Sequence, residues 1–143
     1  MSQSIVVDYE IAQPPEKVWR ALTEPALLAQ WLMQNDIAPV VGHEFTMRAQ
    51  PQGNWDGIVY CKVLRCEPPC VLSYSWKGGT DENKSYGSHL DTVVTWTLEP
   101  RGTGTHLRLE HAGFLDKDKF AFDAMGKGWR FMGERFQRVC AAA

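Results

Sequence analysis

The change of hydrophobic periodicity along the chain limits the possible folds most strongly. Between residues 36 and 112, apolar residues tend to recur at every second position, and turn sequences interrupt the pattern at fairly regular intervals. This pattern predicts a series of antiparallel strands. Helical periodicity is confined to two regions near the chain ends. Because the helices flank the strands rather than alternating with them, the sequence predicts an α+β fold.

The N-terminal region predicts one strand followed by two short helices. Residues 5–11 alternate between apolar and polar side chains, which is typical of a strand. Pro14 and Pro15 end this strand. Because proline is acceptable in the first turn of a helix and residues 16–22 carry apolar side chains at helical spacing, a short helix is expected to follow. Pro25 ends that helix and begins a second one over residues 26–32, because a proline disfavours helix at the preceding residue and suits a first helical position.

The central region predicts five further strands, and a sixth short strand could lie at 36–41. The five are expected over residues 43–49, 57–66, 71–76, 92–98 and 105–111. The strand at 57–66 has apolar residues on both faces, so the pattern leaves open whether Tyr60 or Cys61 faces the interior. The polar segment 77–91 is long for a hairpin loop.

The C-terminal region predicts one long helix from near Asp118 to Cys140. At 1.5 Å per residue it would be roughly 34 Å long, enough to cross a small sheet. Asp116 and Asp118 lie where a helix cap or a favourable partner of the helix dipole is expected. One apolar stripe runs along this helix, formed by Phe122, Trp129, Gly133, Phe136 and Cys140.

Charge and composition exclude several classes of partner. The net charge is −2, and no cluster of lysines or arginines suggests nucleic acid or an anionic membrane. There is no run of 18 apolar residues that would insert into a bilayer. Because no secretory signal precedes the first strand, we expect a cytoplasmic protein.

The cysteines do not form a recognisable metal-binding pattern. Cys61, Cys66 and Cys70 lack CxxC pairs, and prolines precede the third of them. We therefore expect buried or half-buried thiols at these positions and at Cys140, rather than a zinc site. Neither a metal nor an organic cofactor is expected.

Four segments of the chain resemble one known family. They are IAQPPEKVWRALTEPALLAQWL, CEPPCVLSYSW, DTVVTWTLEPRGTGTHLRLEHAGF and GKGW. Together they resemble the activator of Hsp90 ATPase homologue 1-like (AHSA1-like) domain of the SRPBCC, or START-like, superfamily, and the resemblance extends over one domain, residues 1–143. It implies a helix-grip fold, in which a curved antiparallel sheet of six or seven strands wraps around the C-terminal helix. It also implies an elongated hydrophobic pocket between them.

The resemblance and the strand alternation together predict which residues line that pocket. His111 lies two positions after Leu109 and should share its inward direction. Gly126 and Gly133 have no side chains and would leave space on the helix. Each glycine lowers helix stability by about 1 kcal/mol relative to alanine, so its presence needs an explanation. The predicted ligand-binding residues are Trp31, Phe45, Met47, Tyr74, Trp76, Trp96, Leu109, His111, Phe122, Gly126, Trp129 and Gly133.

Two of these features have a structural alternative. A strand aromatic such as Trp96 could occupy the space beside the helix glycines in place of a ligand. His111 could anchor a ligand head group, with Tyr74 as a partner, or could be a core histidine satisfied by a carbonyl or a tyrosine hydroxyl. A catalytic base would need a reacting group within hydrogen-bonding distance, which the sequence does not provide.

The resulting hypothesis is a protein that binds a small apolar or amphipathic molecule between sheet and helix. One alternative is a cyclase-type or hydrolase-type enzyme that uses the same pocket. Another is a co-chaperone-like interaction domain. Phe120 and Phe131 are 11 residues apart on one face of the helix, opposite the buried stripe, and could contact a second copy or another protein partner.

Overall fold

The computed structural model describes residues 2–51, 54–83 and 87–143. In chain order, its strands are β1 (Gln3–Ile11), β2 (Gln34–Asn35), β3 (Glu44–Arg48), β4 (Ile58–Glu67), β5 (Val71–Gly78), β6 (Leu90–Arg101) and β7 (Gly104–Phe114). The helices are α1 (Pro15–Thr23) and α2 (Pro25–Trp31) after β1, and α3 (Lys119–Phe131) and α4 (Gly133–Ala142) at the end of the chain. A 3-10 turn, Asp116–Asp118, precedes α3.

The strands form one antiparallel sheet of seven strands in the order β1-β7-β6-β5-β4-β3-β2. The sheet is curved, and the C-terminal helices lie against its concave face. Helix α4 also packs against α1 and α2. This arrangement confirms the predicted α+β fold with a helix gripped by a sheet.

Alternation along the strands places one side of each strand in the core. In β6 the buried positions include Val94, Trp96 and Leu98, with a more exposed residue between each pair. The same alternation in β4 buries Cys61 and leaves Tyr60 48% exposed, which decides the choice that the sequence left open. A register shift between Val63 and Arg65 then interrupts the pairing with β5.

The prolines act as predicted at the start of the two short helices. Pro15 occupies the first turn of α1, and Pro25 that of α2. Glu24, between the helices, has an extended backbone with φ −93° and ψ 122°, as expected for a residue that precedes proline.

The prediction of one continuous C-terminal helix was wrong at Met132, where the chain forms two helices. The hydroxyl of Tyr9 on β1 donates to the main-chain carbonyl of Trp129 over 2.5 Å. In an uninterrupted helix that carbonyl would accept from the N–H of Gly133, four residues later. Insertion of a side chain into this ladder is a known cause of helix interruption, so the Tyr9 hydroxyl accounts for the break at this point.

Smaller differences concern loops and caps. Residues 36–41 contain no strand, and the short strand β2 lies just before them. Strand β5 extends to Gly78, so the predicted loop is shorter than expected, and its residues 84–86 lie outside the described residues. The carboxylate of Asp118 accepts from the N–H of Leu115 instead of capping α3. No helix in the described ranges is long and apolar enough to cross a membrane.

Candidate functional site

An apolar pocket of about 150 Å³ lies where the first half of α3 meets the ends of β4, β5 and β6. Its lining comes from these elements, from the residue before β2, from Trp55 before β4, and from the segment between β5 and β6. The lining residues are Met33, Trp55, Ile58, Val59, Trp76, Lys77, Gly78, Gly79, Gly87, Ser88, Leu90, Phe120, Ala121 and Met125. A concave and mostly apolar lining with few polar groups is typical of small-molecule sites.

The charged residue in this lining does not direct its charge inward. Trp76 faces the concave side of the sheet and is 5% exposed. Its neighbour Lys77 therefore points to the opposite side of β5, because successive side chains alternate across a strand. The ammonium group of Lys77 lies 3.8 Å from the carboxylate of Asp91. The pocket interior therefore receives no charge from Lys77.

Two glycines in the pocket lining, Gly79 and Gly87, lie very close to neighbouring atoms. Gly87 has φ +92°, and a Cβ there would lie 2.3 Å from the Cβ of Trp55. Main-chain hydrogen bonds from the Thr80 N–H to the Gly87 carbonyl (2.9 Å) and from the His89 N–H to the Thr80 carbonyl (3.1 Å) hold Thr80 against residues 87–89. Only glycine combines this backbone conformation with such a close approach.

His111 lies behind Trp76, with 5.2 Å between the ring centroids, and is fully buried. The indole N–H of Trp129 donates to His111 Nδ1 (3.2 Å), and His111 Nε2 lies 2.8 Å from the hydroxyl of Thr92. That hydroxyl in turn donates to the carbonyl of Trp76 (2.9 Å). These bonds are mutually consistent for a neutral imidazole with its proton on Nε2.

The environment of His111 is that of a core residue. Burial lowers its pKa from 6.5 to about 3, because the charged form would lose its hydration. Both ring nitrogens are engaged by protein groups. The ring therefore has no free lone pair to accept a proton from a bound molecule. Its partners are Thr92 and Trp129, whereas the sequence suggested Tyr74.

Three predicted pocket residues, Trp31, Trp96 and Trp129, form an aromatic cluster with Phe136 in the core. The ring centroids of Trp31 and Trp96 are 5.8 Å apart, and those of Trp96 and Trp129 are 5.6 Å apart. Phe136 of α4 lies 4.6 Å from Trp31. Trp31 is thus buried against α4. The three tryptophans are at most 3% exposed.

The other predicted strand residues also lie in the core. Tyr74 accepts a hydrogen bond from the Trp96 indole N–H (3.1 Å), and burial raises the pKa of its hydroxyl. Phe45 packs edge-on against Tyr74 at 5.4 Å. Met47 and Leu109 are fully buried. Of the predicted ligand-binding residues, Trp76 is the one that lines the apolar pocket in the described part of the chain.

Protein side chains lie beside both helix glycines, Gly126 and Gly133. A Cβ at Gly133 would lie 3.2 Å from Cδ1 of Tyr9, so an aromatic side chain does occupy this space, although it is Tyr9 and not Trp96. A Cβ at Gly126 would lie 3.1 Å from a guanidinium nitrogen of Arg130. Gly126 and Phe122 line a separate groove of about 390 Å³ between β1 and α3, with charged residues Asp123, Lys127 and Arg130.

Sequence reasoning missed most of the pocket lining. Ala121 and Met125 carry no distinguishing signal, since small and flexible apolar residues are common in any core. Phe120 was assigned to an outer face of the helix, but it lies at the pocket and is 44% exposed. The length and glycine content of segment 77–91 were the available signal, because Gly79, Gly87 and Ser88 of this segment line the pocket.

The cysteines are free in the structure. Cys61 and Cys140 are buried and Cys66 is half-buried, but Cys70 is exposed, contrary to the expectation for it. Within the described ranges, no group of three or more histidine, cysteine, aspartate or glutamate side chains could hold a metal ion.

Comparison with known proteins agrees with the fold. The family model for activator of Hsp90 ATPase homolog 1-like protein (AHSA1) matches residues 12–141. The chain belongs to the AHSA1 family. This confirms the resemblance that the four sequence segments indicated. No curated protein matches this AHSA1 chain.

Solved structures extend the comparison. The chain is 39% identical to MLL2253 from Mesorhizobium loti, with a TM-score of 0.85 over 99% of this chain and 98% of that one. BH1534 from Bacillus halodurans is 26% identical, with a TM-score of 0.74 over 96% of each chain. CalU16 from Micromonospora echinospora is 26% identical, with a TM-score of 0.71 over 97% of this chain and 76% of that one. The AHSA1 chain thus has the helix-grip fold of the SRPBCC superfamily.

Proposed function

We propose that this protein binds a small apolar or amphipathic molecule in the pocket between α3 and the ends of β4, β5 and β6. The single observation that carries the proposal is the apolar pocket itself, which lies where the gripping sheet and the helix do not close. The fold family supports it in general terms, although one fold serves many functions and does not identify a ligand.

The size of the pocket limits the ligand. A cavity of about 150 Å³ is comparable to an engineered protein cavity that binds benzene. Binding sites for drug-sized ligands are roughly 300–1,000 Å³. A single aromatic ring or a short branched alkyl group therefore suits the site better than a complete lipid chain, which the aromatic cluster of Trp31, Trp96 and Trp129 would exclude.

The alternatives have less support. Enzymatic turnover would need an acid or base in the pocket, and His111 is held neutral with both nitrogens engaged. A protein-interaction role, including contact with a second copy, was based on Phe120 and Phe131. Since Phe120 lines the pocket, that hypothesis now depends on Phe131, which is 83% exposed.

The test compares two matched substitutions on α3. Ala121 is buried and lines the pocket, whereas Ala124 is half-buried on the same helix and is not part of the lining. Toluene is titrated into the wild type, Ala121→Leu and Ala124→Leu, and binding is measured from ¹H–¹⁵N chemical shifts. We expect saturable binding to the wild type and to Ala124→Leu, and binding about tenfold weaker or worse for Ala121→Leu.

Two results would contradict the proposal. One is the absence of saturable toluene binding by the wild type. The other is equal weakening by Ala121→Leu and Ala124→Leu while thermal unfolding shows that both variants are folded. Decanoate serves as a lipid-like comparison, and we expect it to bind less tightly than toluene, because its chain exceeds the pocket.

A further inference from the structure

Four of the tryptophans are buried, and their indole N–H groups differ in one respect. Three of these groups donate to protein acceptors: Trp31 to the Ala21 carbonyl (2.9 Å), Trp96 to the Tyr74 hydroxyl (3.1 Å) and Trp129 to His111 Nδ1 (3.2 Å). Buried indole nitrogens normally have such partners.

Trp76 is the exception. Its main-chain carbonyl accepts from Thr92, and its ring packs against His111 and Trp129. Its indole N–H, however, has no acceptor among residues 2–51, 54–83 and 87–143. The residue is 95% removed from solvent, with a relative exposure of 5%.

The position of this donor follows from two facts. Every fully buried side-chain nitrogen or oxygen in the described ranges has a hydrogen-bond partner. The Trp76 nitrogen is therefore not sealed in the core, and the open space next to Trp76 is the pocket that it lines. A ligand that fills this space without an acceptor would leave the donor unpaired in apolar surroundings, which is costly, so a ligand that supplies the acceptor gains affinity.

We infer that the ligand is an uncharged one-ring or short-chain compound with a hydrogen-bond acceptor, such as a ketone or ester carbonyl, that accepts from Trp76 Nε1. This inference rests on the proposed function of the pocket. A carboxylate would fit less well, because it would lose hydration and find no cation inside: Lys77 points to the opposite side of the sheet.

The experiment uses two probes of nearly the same shape. Acetophenone has a carbonyl oxygen where α-methylstyrene has a CH₂ group. Both are titrated into the wild type and Trp76→Phe, which keeps a ring but removes the donor. We expect the wild type to bind acetophenone about three- to tenfold more tightly, corresponding to one hydrogen bond net of solvation. Trp76→Phe should lose that preference while still binding α-methylstyrene.

A second measurement needs no variant. The indole ¹H–¹⁵N resonance of Trp76, assigned through its contacts with His111, should move downfield with acetophenone and much less with α-methylstyrene. It should also exchange with solvent faster than those of Trp31, Trp96 and Trp129 in the free protein.

The outcomes separate the two proposals. If both probes bind the wild type equally and the Trp76 resonance responds alike to both, the inference about the acceptor is wrong and the pocket still binds apolar molecules. If neither probe binds, the proposed function itself is overturned. Preferential binding of benzoate over acetophenone would contradict the assignment of an uncharged ligand.

Discussion

Trp129 donates its indole N–H to Nδ1 of His111 across 3.2 Å, and this bond links α3 to β7 inside the core. It also fixes the histidine tautomer, because the accepting nitrogen cannot carry a proton. The link explains how a titratable residue can occupy the centre of the fold: its polarity is satisfied by neighbours on α3 and β6.

The pH dependence of stability should reflect this burial. The unfolded chain protonates His111 below pH 6.5, whereas the folded protein resists protonation until about pH 3. Because the unfolded state binds more protons in this window, stability is complete above pH 6.5 and is lost as the pH falls towards 3, by up to about 1.4 kcal/mol per pH unit.

The matched variant for this prediction is His111→Gln. Its carbonyl can accept from Trp129 and its amide can donate to Thr92, but it does not titrate. Urea unfolding between pH 7 and pH 4 should give a shallower loss of stability than in the wild type. Parallel stability curves for the two proteins would show that folding does not lower the pKa of His111.

Substitution of the helix glycines by alanine should change the stability of the protein by different amounts. A Cβ at Gly128 would have no atom within 4 Å, whereas a Cβ at Gly133 would lie 3.2 Å from Tyr9. Gly128→Ala should stabilise the protein by about 0.5–1 kcal/mol through helix propensity. Gly133→Ala should stabilise it less, because the contact with Tyr9 offsets part of the gain. Thermal unfolding of the two variants measures the difference, and an equal gain would contradict the close packing at Tyr9.

Removal of the Tyr9 hydroxyl should change the helix break. Tyr9→Phe loses one hydrogen bond, at a cost of about 1 kcal/mol, and frees the Trp129 carbonyl to accept from the Gly133 N–H. The amide hydrogen of Gly133 should therefore exchange more slowly in this variant. Tyr74→Phe is the control, since Tyr74 bonds to Trp96 and is not involved at the break. Unchanged exchange at Gly133 in Tyr9→Phe would mean that the break has another cause.

The thiols should react in the order of their exposure. Cys70 is exposed and should react with a disulfide reagent first, followed by half-buried Cys66. Burial raises the pKa of the Cys61 and Cys140 thiols to about 12, so little thiolate forms at neutral pH. Mass spectrometry after brief labelling should find Cys70 modified, and all four cysteines should react after unfolding in urea. Early labelling of Cys61 or Cys140 would contradict their burial.

The sequence predicted the fold well because the relevant signals are local. Alternation identified the inward positions of β6, and Pro15 and Pro25 marked the helix starts, since both effects act within a few residues. The break at Met132 was not predictable in this way. It depends on a hydroxyl from Tyr9, which is 120 residues distant from Trp129 in the chain.

The candidate site was predicted only in part. Strand alternation indicates that Trp76 and Trp96 face inward, but it does not tell which ring meets another ring and which meets open space. The answer depends on how the bulky side chains of α2, α4 and the sheet pack together in the core. Trp96 packs against Trp31 and Phe136, whereas Trp76, only 20 residues earlier, reaches the pocket.

Two glycines in the lining, Gly79 and Gly87, restrict how the pocket can be altered. At Gly79, as at Gly87, an added side chain would collide with main-chain atoms or with Trp55. The opposing wall, provided by Ala121 and Met125 on α3, carries no such backbone constraint. Engineering of ligand preference should therefore begin with the α3 residues, where larger or smaller side chains can be introduced without a change in the loop backbone.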